Sequence, residues 1–431
     1  MSKLKRELTL FDLVGIGISQ IIGAGIFVVS GIAAGIAGPS VILSFWIAGL
    51  IALLTALTTA ELSSIITETG SSYAYTKRAF GKFFGFLVGW MRYFDNVVSI
   101  SAVSLGFSAY LISFFFPFLS QGFLIFSSIA LIILLTIPNI LGAKITSRMS
   151  SILVLIKLST LSFLIFVGGF YLLKSFDKNK FVPFFPNGFS STLTASSLIF
   201  FAFLGFQTVA MASEESKNPR RDIPLAIILS LMICSLIYIG IAIISIGSVD
   251  WKILGSVEHP LSYVTQEITN NEYATLFVTF GALVATASVA LTSIYSSSRT
   301  LFALSRDNLL PKTFAKVSER FGTPITSVIV SSFLSILIVL SGSINFVVSI
   351  VSFGSLFNFI FTNLSLIKLK NKIKKKPTFE LPFHPLIPIA GAISCFALML
   401  FLENNAKIVG TIWLLVGILI YLIKEKKLND V

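Results

Sequence analysis

The sequence predicts an all-α integral membrane protein of about twelve transmembrane helices, the first and sixth of them discontinuous. Three observations predict this. Apolar residues make up 55% of the 431 positions and charged residues only 12%, with a mean hydropathy of +0.92, a balance foreign to ordinary soluble domains. The apolar residues gather in runs of about 18 or more, the length that crosses a bilayer's hydrocarbon core as a helix. Glycines then interrupt the first and sixth runs, as IIGAGIF at 21–27 and FAFLGF at 201–206. Glycine lets a spanning helix unwind and turn bare N–H and C=O groups toward a cavity. A matched pair of such breaks is the sequence mark of a transporter binding site.

Taken in order, the spans lie at 11–35, 40–66, 84–115, 122–141, 150–173, 191–213, 224–247, 273–303, 324–341, 346–367, 386–403 and 407–423. The third and eighth exceed what the hydrocarbon core requires, which allows tilt or extension beyond it. The first reads as a span, not a cleavable leader, because it is too long and lacks a small-residue cleavage context. Cys234 and Cys395 both fall inside spans and read as small core hydrophobes without a disulfide.

A net charge of +13 raises the question of nucleic acid, and its placement answers it. With the N-terminus on the cytoplasmic side, inner segments carry 25 Lys and Arg against 12 acids, and outer segments carry 5 against 6. Arg92, Lys157 and Asp95 lie within spans. The excess is a positive-inside signal that puts both termini in the cytoplasm of a cell-membrane protein. The basic run 368–376 reads as a solvated inner loop beside anionic headgroups, with no role in nucleic-acid binding.

Five spans precede the second broken one, so spans 1–5 and 6–10 form two repeats of odd length, which face opposite ways across a bilayer. The expected division is a cytoplasmic tail 1–10, repeat 1 at 11–173, repeat 2 at 191–367, two further helices at 386–423 and a cytoplasmic tail 424–431. The long outer segment 248–272, with Trp251, His259 and Pro260, could lid an outer vestibule. No segment is long enough for a soluble catalytic domain, and the spans hold no nucleophile–base or metal constellation. The expectation is that the chain is not an enzyme and carries no cofactor.

At the first break, the amides of Gly23, Ala24 and Gly25 sit at the positive end of the following half-helix, a setting that binds a carboxylate. At the second, carbonyls of Phe201, Ala202 and Leu204 come free at the negative end of a half-helix and can accept from an ammonium group. Opposed donors and acceptors suit a zwitterion, of which an amino acid is the commonest small example. Either cluster alone would also serve close helix packing; the pair, each flanked by aromatics, points to a site.

Four blocks resemble the amino acid–polyamine–organocation superfamily: LVGIGISQIIGAGIFVVSG at 13–31, AELSSIITETGSSYAYTKRAFG at 60–81, FFAFLGFQTVAMASEESKNPRRDIP at 200–224 and RTLFALSRDNLLPKTFAKVSERFGTP at 299–324. Within it the chain is similar to prokaryotic permeases akin to cationic amino acid transporters. The resemblance implies the five-plus-five inverted-repeat (LeuT-like) fold with substrate between helices 1 and 6. It also implies that Gly23, Ala24 and Gly25 hold an α-carboxylate, that the carbonyls of Ile21, Phe201 and Leu204 meet the α-ammonium, and that the Phe201 ring gates the outer side. Two positions depart from the pattern. Ala24 replaces a Ser or Thr hydroxyl, and Gln207 replaces an acid, which removes a charge near the second break.

Lys157 lies about eight residues into the fifth span, roughly 10 Å from its inner end. It either snorkels to the interface or faces the interior and cycles a proton. The resemblance implies the second, with Ser296 and Ser297 as neighbours. Arg92 and Asp95, three apart on one helical face, can neutralise each other; alternatively Asp95 reads a substrate side chain. Glu61, Glu214 and Glu215 are expected in an inner charge network with the basic loops. Val98, Gln207, Ser293 and Asn358 are lining positions by helical spacing and motif alignment. His259 and His384 fall in loops, so neither is cast as proton carrier, and two histidines are too few for a metal site.

The expected function is secondary active transport of a small or medium neutral L-amino acid, with the proton as coupling ion and the lipid bilayer as surroundings. The alternatives are an amino acid exchanger or a cationic amino acid or polyamine permease. An ion channel would call for a pore loop or rings of like charge, and neither is present in the sequence.

Overall fold

A computed structural model describes residues 8–66, 71–116, 118, 121–211, 216–370 and 377–429. Helices dominate; the sole β contact among the described residues is an isolated bridge between Leu8 and Ser216. The order is α1 (Leu10–Ile21), a π-helical turn (Gly25–Val29), α2 (Ser30–Ala37), α3 (Val41–Ile65), α4 (Ser72–Phe80), α5 (Lys82–Phe115), α6 (Gln121–Leu141) and α7 (Ala143–Ser175). There follow α8 (Gly188–Ile199), a 3₁₀ turn (Phe200–Phe203), α9 (Gln207–Met211), α10 (Pro219–Ser248), α11 (Trp251–Ser256) and α12 (Pro260–Thr269). The chain closes with α13 (Glu272–Arg306), α14 (Ile325–Val339), α15 (Ile344–Lys370), α16 (Leu386–Leu400) and α17 (Asn404–Asn429).

Nine helical stretches among the described residues are long and apolar enough to cross a membrane, and the chain is a multi-pass membrane protein. Gly25–Ile65 counts as one of the nine, since the 3₁₀ turn Gly38–Ser40 joins α2 directly to α3, although Gly38 itself leaves the helical conformation at φ +66°. Three more apolar helices, Leu10–Ile21, Ile325–Val339 and Leu386–Leu400, are shorter. Leu10–Ile21 is short because it ends at the first glycine break. The third and eighth expected spans are long, at 34 and 35 residues.

Serine and threonine are plentiful in the interior, and most fold their hydroxyls back onto a carbonyl three or four residues earlier, as Thr59 does to Thr55 and Ser331 to Ser327. This keeps small polar side chains satisfied away from water and lets helices approach closely. Others bridge helices: Ser335 Oγ donates to Val97 O and Ser101 Oγ to Ser335 O, fastening α14 to α5. The Trp90 and Trp413 rings stack at 4.5 Å, nearly parallel. Each indole N–H donates to the other residue's carbonyl, at 3.0 and 3.3 Å.

Two clusters of charged residues tie helices together. Glu61, wholly buried at the end of α3, pairs with Lys370 at 3.0 Å and accepts the Leu381 N–H at 2.8 Å. Of the expected charge network, Glu61 thus joins the foot of α15; Glu214, Glu215 and 371–376 lie outside the described residues. A second cluster ties α4 to the end of α13: Lys77 Nζ reaches Asp307 at 2.6 Å and the Tyr73 hydroxyl donates to the same carboxylate.

Burial raises the Asp307 carboxyl, but hydrogen bonds from Lys77 and Tyr73 outweigh it and hold the group below its ordinary value. A depressed carboxylate adds stability above its unfolded pKa and loses it as pH falls through the folded one. The melting-temperature gap between parent and Asp307→Asn should therefore be steady from about pH 8 to 5 and close below about pH 4. Thermal melts of purified protein across that range check it.

Candidate functional site

The two breaks meet in the interior. α1 ends at Ile22, whose backbone is extended (φ −75°, ψ 107°), and the chain re-enters helix through the wide turn Gly25–Val29. A helix end leaves carbonyls without internal partners, and here side chains from two other helices take them. Lys157 Nζ, on α7, donates to Ser19 O at 2.8 Å and Ile22 O at 2.9 Å. The Tyr238 hydroxyl, on α10, donates to Ile21 O at 2.9 Å. The amides of Gly23, Ala24 and Gly25 lie at the opening of the π turn, where the first N–H groups of a helix have no acceptor of their own.

The second break is built differently. α8 tightens into the 3₁₀ turn Phe200–Phe203, Leu204 is extended (φ −70°, ψ 150°), and Gly205 takes φ +117° before α9 begins. Leu204 N donates to Phe201 O at 3.3 Å. The Phe201 carbonyl, expected free, is therefore partly used, while Ala202 and Leu204 carry their carbonyls out of the helical ladder. Gly205 is the one residue type that holds this φ without strain, and a Cβ there would lie 2.7 Å from the Gln20 carbonyl.

Glycine also sets how closely the breaks approach. A Cβ on Gly25 would collide with Ala202 Cα, and one on Gly23 would lie 2.6 Å from Val289 on α13. The interlock is reciprocal: Gly25 of the first break against Ala202 of the second, Gly205 of the second against Gln20 of the first.

The remaining expected residues divide. Lys157 is 1% exposed and lies at the first break itself; it does not snorkel. Its hydrogen bonds go to carbonyls, and Ser296 and Ser297 are not its partners: Ser297 Oγ turns back to Ile294 O at 3.0 Å. α7 meets α13 one turn further on, where Thr160 abuts Gly281. Asp95 is bound to Arg92 Nη1 at 3.0 Å and to Ser355 Oγ of α15 at 2.7 Å, so it is a clasp between α5 and α15. Val98, Ser293, Gln207 and Asn358 are all buried. The Gln207 Nε2 and both amide atoms of Asn358 have no hydrogen-bond partner. Phe359, next to Asn358, packs its ring on Phe200 at 5.6 Å and Phe206 at 5.3 Å, which brings α15 against the second break. No metal-binding group of His, Cys, Asp or Glu exists among the described residues. Cys234 and Cys395 are free and buried.

Tyr238 escapes a sequence reading. The available signal was a phenol inside an apolar run, whose hydroxyl must find a partner when buried; the partner's identity depends on which helices pack together.

A family model described as amino acid permease matches residues 12–423. The chain belongs to that family. The matched range takes in both breaks and Lys157, and bears out the resemblance read from the four blocks. The branched-chain amino acid permease BcaP of Bacillus subtilis (strain 168) is 34% identical over 99% of this chain and 95% of the relative. The methylthioribose transporter of the same organism is 34% identical over 98% of this chain and 94% of the relative. The vacuolar cationic amino acid transporter 4 of Arabidopsis thaliana is 33% identical over 83% of this chain and 62% of the relative. Relatives of nearly equal identity to this chain thus carry names with different substrates, while the two breaks are in the chain itself.

Gly25→Ala should force the breaks apart, lowering the melting temperature by the equivalent of about 1–3 kcal/mol and removing any ligand-induced shift. Gly15→Ala in α1, where an added Cβ meets nothing within 4 Å, is the matched control and should melt at or slightly above the parent.

Proposed function

We propose that this amino acid permease is a secondary active transporter that carries a small or medium neutral L-amino acid across the cell membrane by alternating access. One observation carries the reading: two backbone breaks interlock, Gly25 against Ala202 and Gly205 against Gln20, with the Gly23–Gly25 amides at the opening of a helix facing the non-helical Leu204 break. The carboxylate meets the amides of Gly23, Ala24 and Gly25. The ammonium meets carbonyls of Ala202 and Leu204, with Ile21 O shared with Tyr238 and Phe201 O with Leu204. Phe201, Gln207 and Ser293 line the side-chain end, and the unpartnered Gln207 and Asn358 amides are available to ligand or water.

In this reading the three shorter apolar helices join the longer ones as twelve crossings, with both termini cytoplasmic and spans 1–5 and 6–10 as inverted repeats. The proton is the coupling ion and Lys157 its carrier. An ammonium buried with carbonyl partners alone is costly to keep charged, and its two bonds hold the broken end of α1. Loss of the proton weakens that hold, which links protonation to movement of the half-helix. The commitment of Asp95 to Arg92 and Ser355 favours neutral over cationic cargo. Exchange without a proton is the competing mechanism.

Two measurements test this. In a thermal-shift panel, branched-chain and other neutral amino acids should stabilise the protein by about 2.7 kcal/mol at a hundredfold excess over Kd. Arginine, polyamines and methylthioribose should not, and stabilisation by methylthioribose alone would overturn the zwitterion site. In proteoliposomes, an imposed pH gradient should drive accumulation, and Lys157→Ala should abolish accumulation while leaving binding measurable. Accumulation by Lys157→Ala equal to the parent's would remove the lysine from coupling.

A further inference from the structure

The segment between α10 and α13 lies across α2 in close contact. Gly35 of α2 meets Gly255 of α11, where a Cβ on either would lie 2.5–2.7 Å from the other's Cα, and Gly31 abuts Pro260 and the Leu254 carbonyl. Beneath this cover is a small pocket lined by Ser30, Ala34, Phe45, Ser245, Leu254 and Pro260. One side chain joins the cover to the first break. Tyr110, fully buried on α5, donates its hydroxyl to Phe27 O at 2.5 Å and accepts the Leu261 N–H at 3.3 Å.

Both partners are groups that regular helix leaves in need. Phe27 sits in the π turn Gly25–Val29, where the widened backbone misaligns carbonyls from the usual donor four residues on. Leu261 lies in the first turn of α12, whose N–H groups have no internal acceptor. A hydroxyl serves both at once, as donor and acceptor through one oxygen, and the tyrosine ring carries it there from α5. The Tyr110 ring also stands edge-on to Phe27 and to His259, each at a centroid distance of 6.4 Å. One turn earlier on α5, Gly106 sits against Val28 and Ala24, so α5 tracks the break along its length.

We infer that Tyr110 is a positioning residue that latches the α11–α12 cover to the π turn of the first break, so that closure of the cover sets the geometry of the Gly23–Gly25 amides. This rests on the transport reading of the breaks. With the cover down, the hydroxyl is held by Leu261 and aimed at Phe27 O. With the cover raised, Leu261 N–H passes to water and the π turn loses the far anchor of its bond. Ligand bound at the amides and cover closure therefore favour each other.

The test uses the full chain in proteoliposomes with Ser245→Cys as a reporter under the cover; the Ser245 Oγ is buried with no hydrogen-bond partner, and the native cysteines are buried. Tyr110→Phe keeps the ring and removes both bonds. It should speed labelling of the reporter by a water-soluble maleimide about fivefold to tenfold. It should raise the leucine concentration needed for half-maximal protection by a similar factor, with gradient-driven maximal uptake changed less. Labelling at the parent rate in a folded Tyr110→Phe overturns the latch. Leucine that the parent accumulates without protection of the reporter also overturns the latch, whereas leucine that is neither accumulated nor protective overturns the transport reading instead. Should Tyr110→Phe fail to fold, Gly255→Ala, which lifts the cover through Gly35 with the tyrosine intact, must weaken leucine protection by a like factor. Faster labelling there with unchanged protection separates cover from break and overturns the latch.

Discussion

A backbone group inside a bilayer must find a hydrogen-bond partner within the protein, and the two breaks violate helical pairing where water is scarce. Much of the interior is arranged around that constraint. Lys157 and Tyr238 take the carbonyls at the end of α1, and Tyr110 takes one in the π turn. These side chains come from α7, α10 and α5, so three helices are positioned by the needs of one interrupted one. None of the three side chains takes the amides at Gly23–Gly25 or the carbonyls of Ala202 and Leu204, the groups proposed to meet the substrate.

The glycines act in a complementary way, by absence of a side chain. Gly25 on Ala202 and Gly205 on Gln20 bring two main chains together as no larger residue permits. Gly205 additionally occupies φ +117°, a conformation L side chains rarely adopt. Close approach matters because opposed backbone dipoles weaken with distance, and a small zwitterion spans only a few ångströms between its charged ends. In the proposed reading, the interlock sets a size for the guest's head group independently of what side chain follows.

The sequence made the apolar runs, both breaks and the length of α5 and α13 readable, since each is a local property of composition or glycine placement. It also made the Arg92–Asp95 pair readable, as three-residue spacing on a helix, but not Ser355, the third member, which arrives from a helix 260 positions away. The same limit hid Tyr238 and Tyr110: a tyrosine in an apolar run announces that it needs a partner, and only packing names it. Ser296 and Ser297 were expected beside Lys157 on the resemblance, but Lys157 takes carbonyls at the end of α1 and Ser297 turns back onto its own backbone. Asn358 was singled out by spacing; that both its amide atoms would be buried and unpartnered is a property of the assembled interior.

The stacked pair of Trp90 and Trp413 has a consequence of another kind. Through it α17, whose outer surface is lipid-facing along much of its length, is fastened to α5, and its other main neighbour is α15. α17 is therefore moored to the unbroken part of the bundle, on α5 and α15. An appended domain or fluorophore on that helix would ride on the frame, giving a fixed reference against which displacements of the half-helices can be measured.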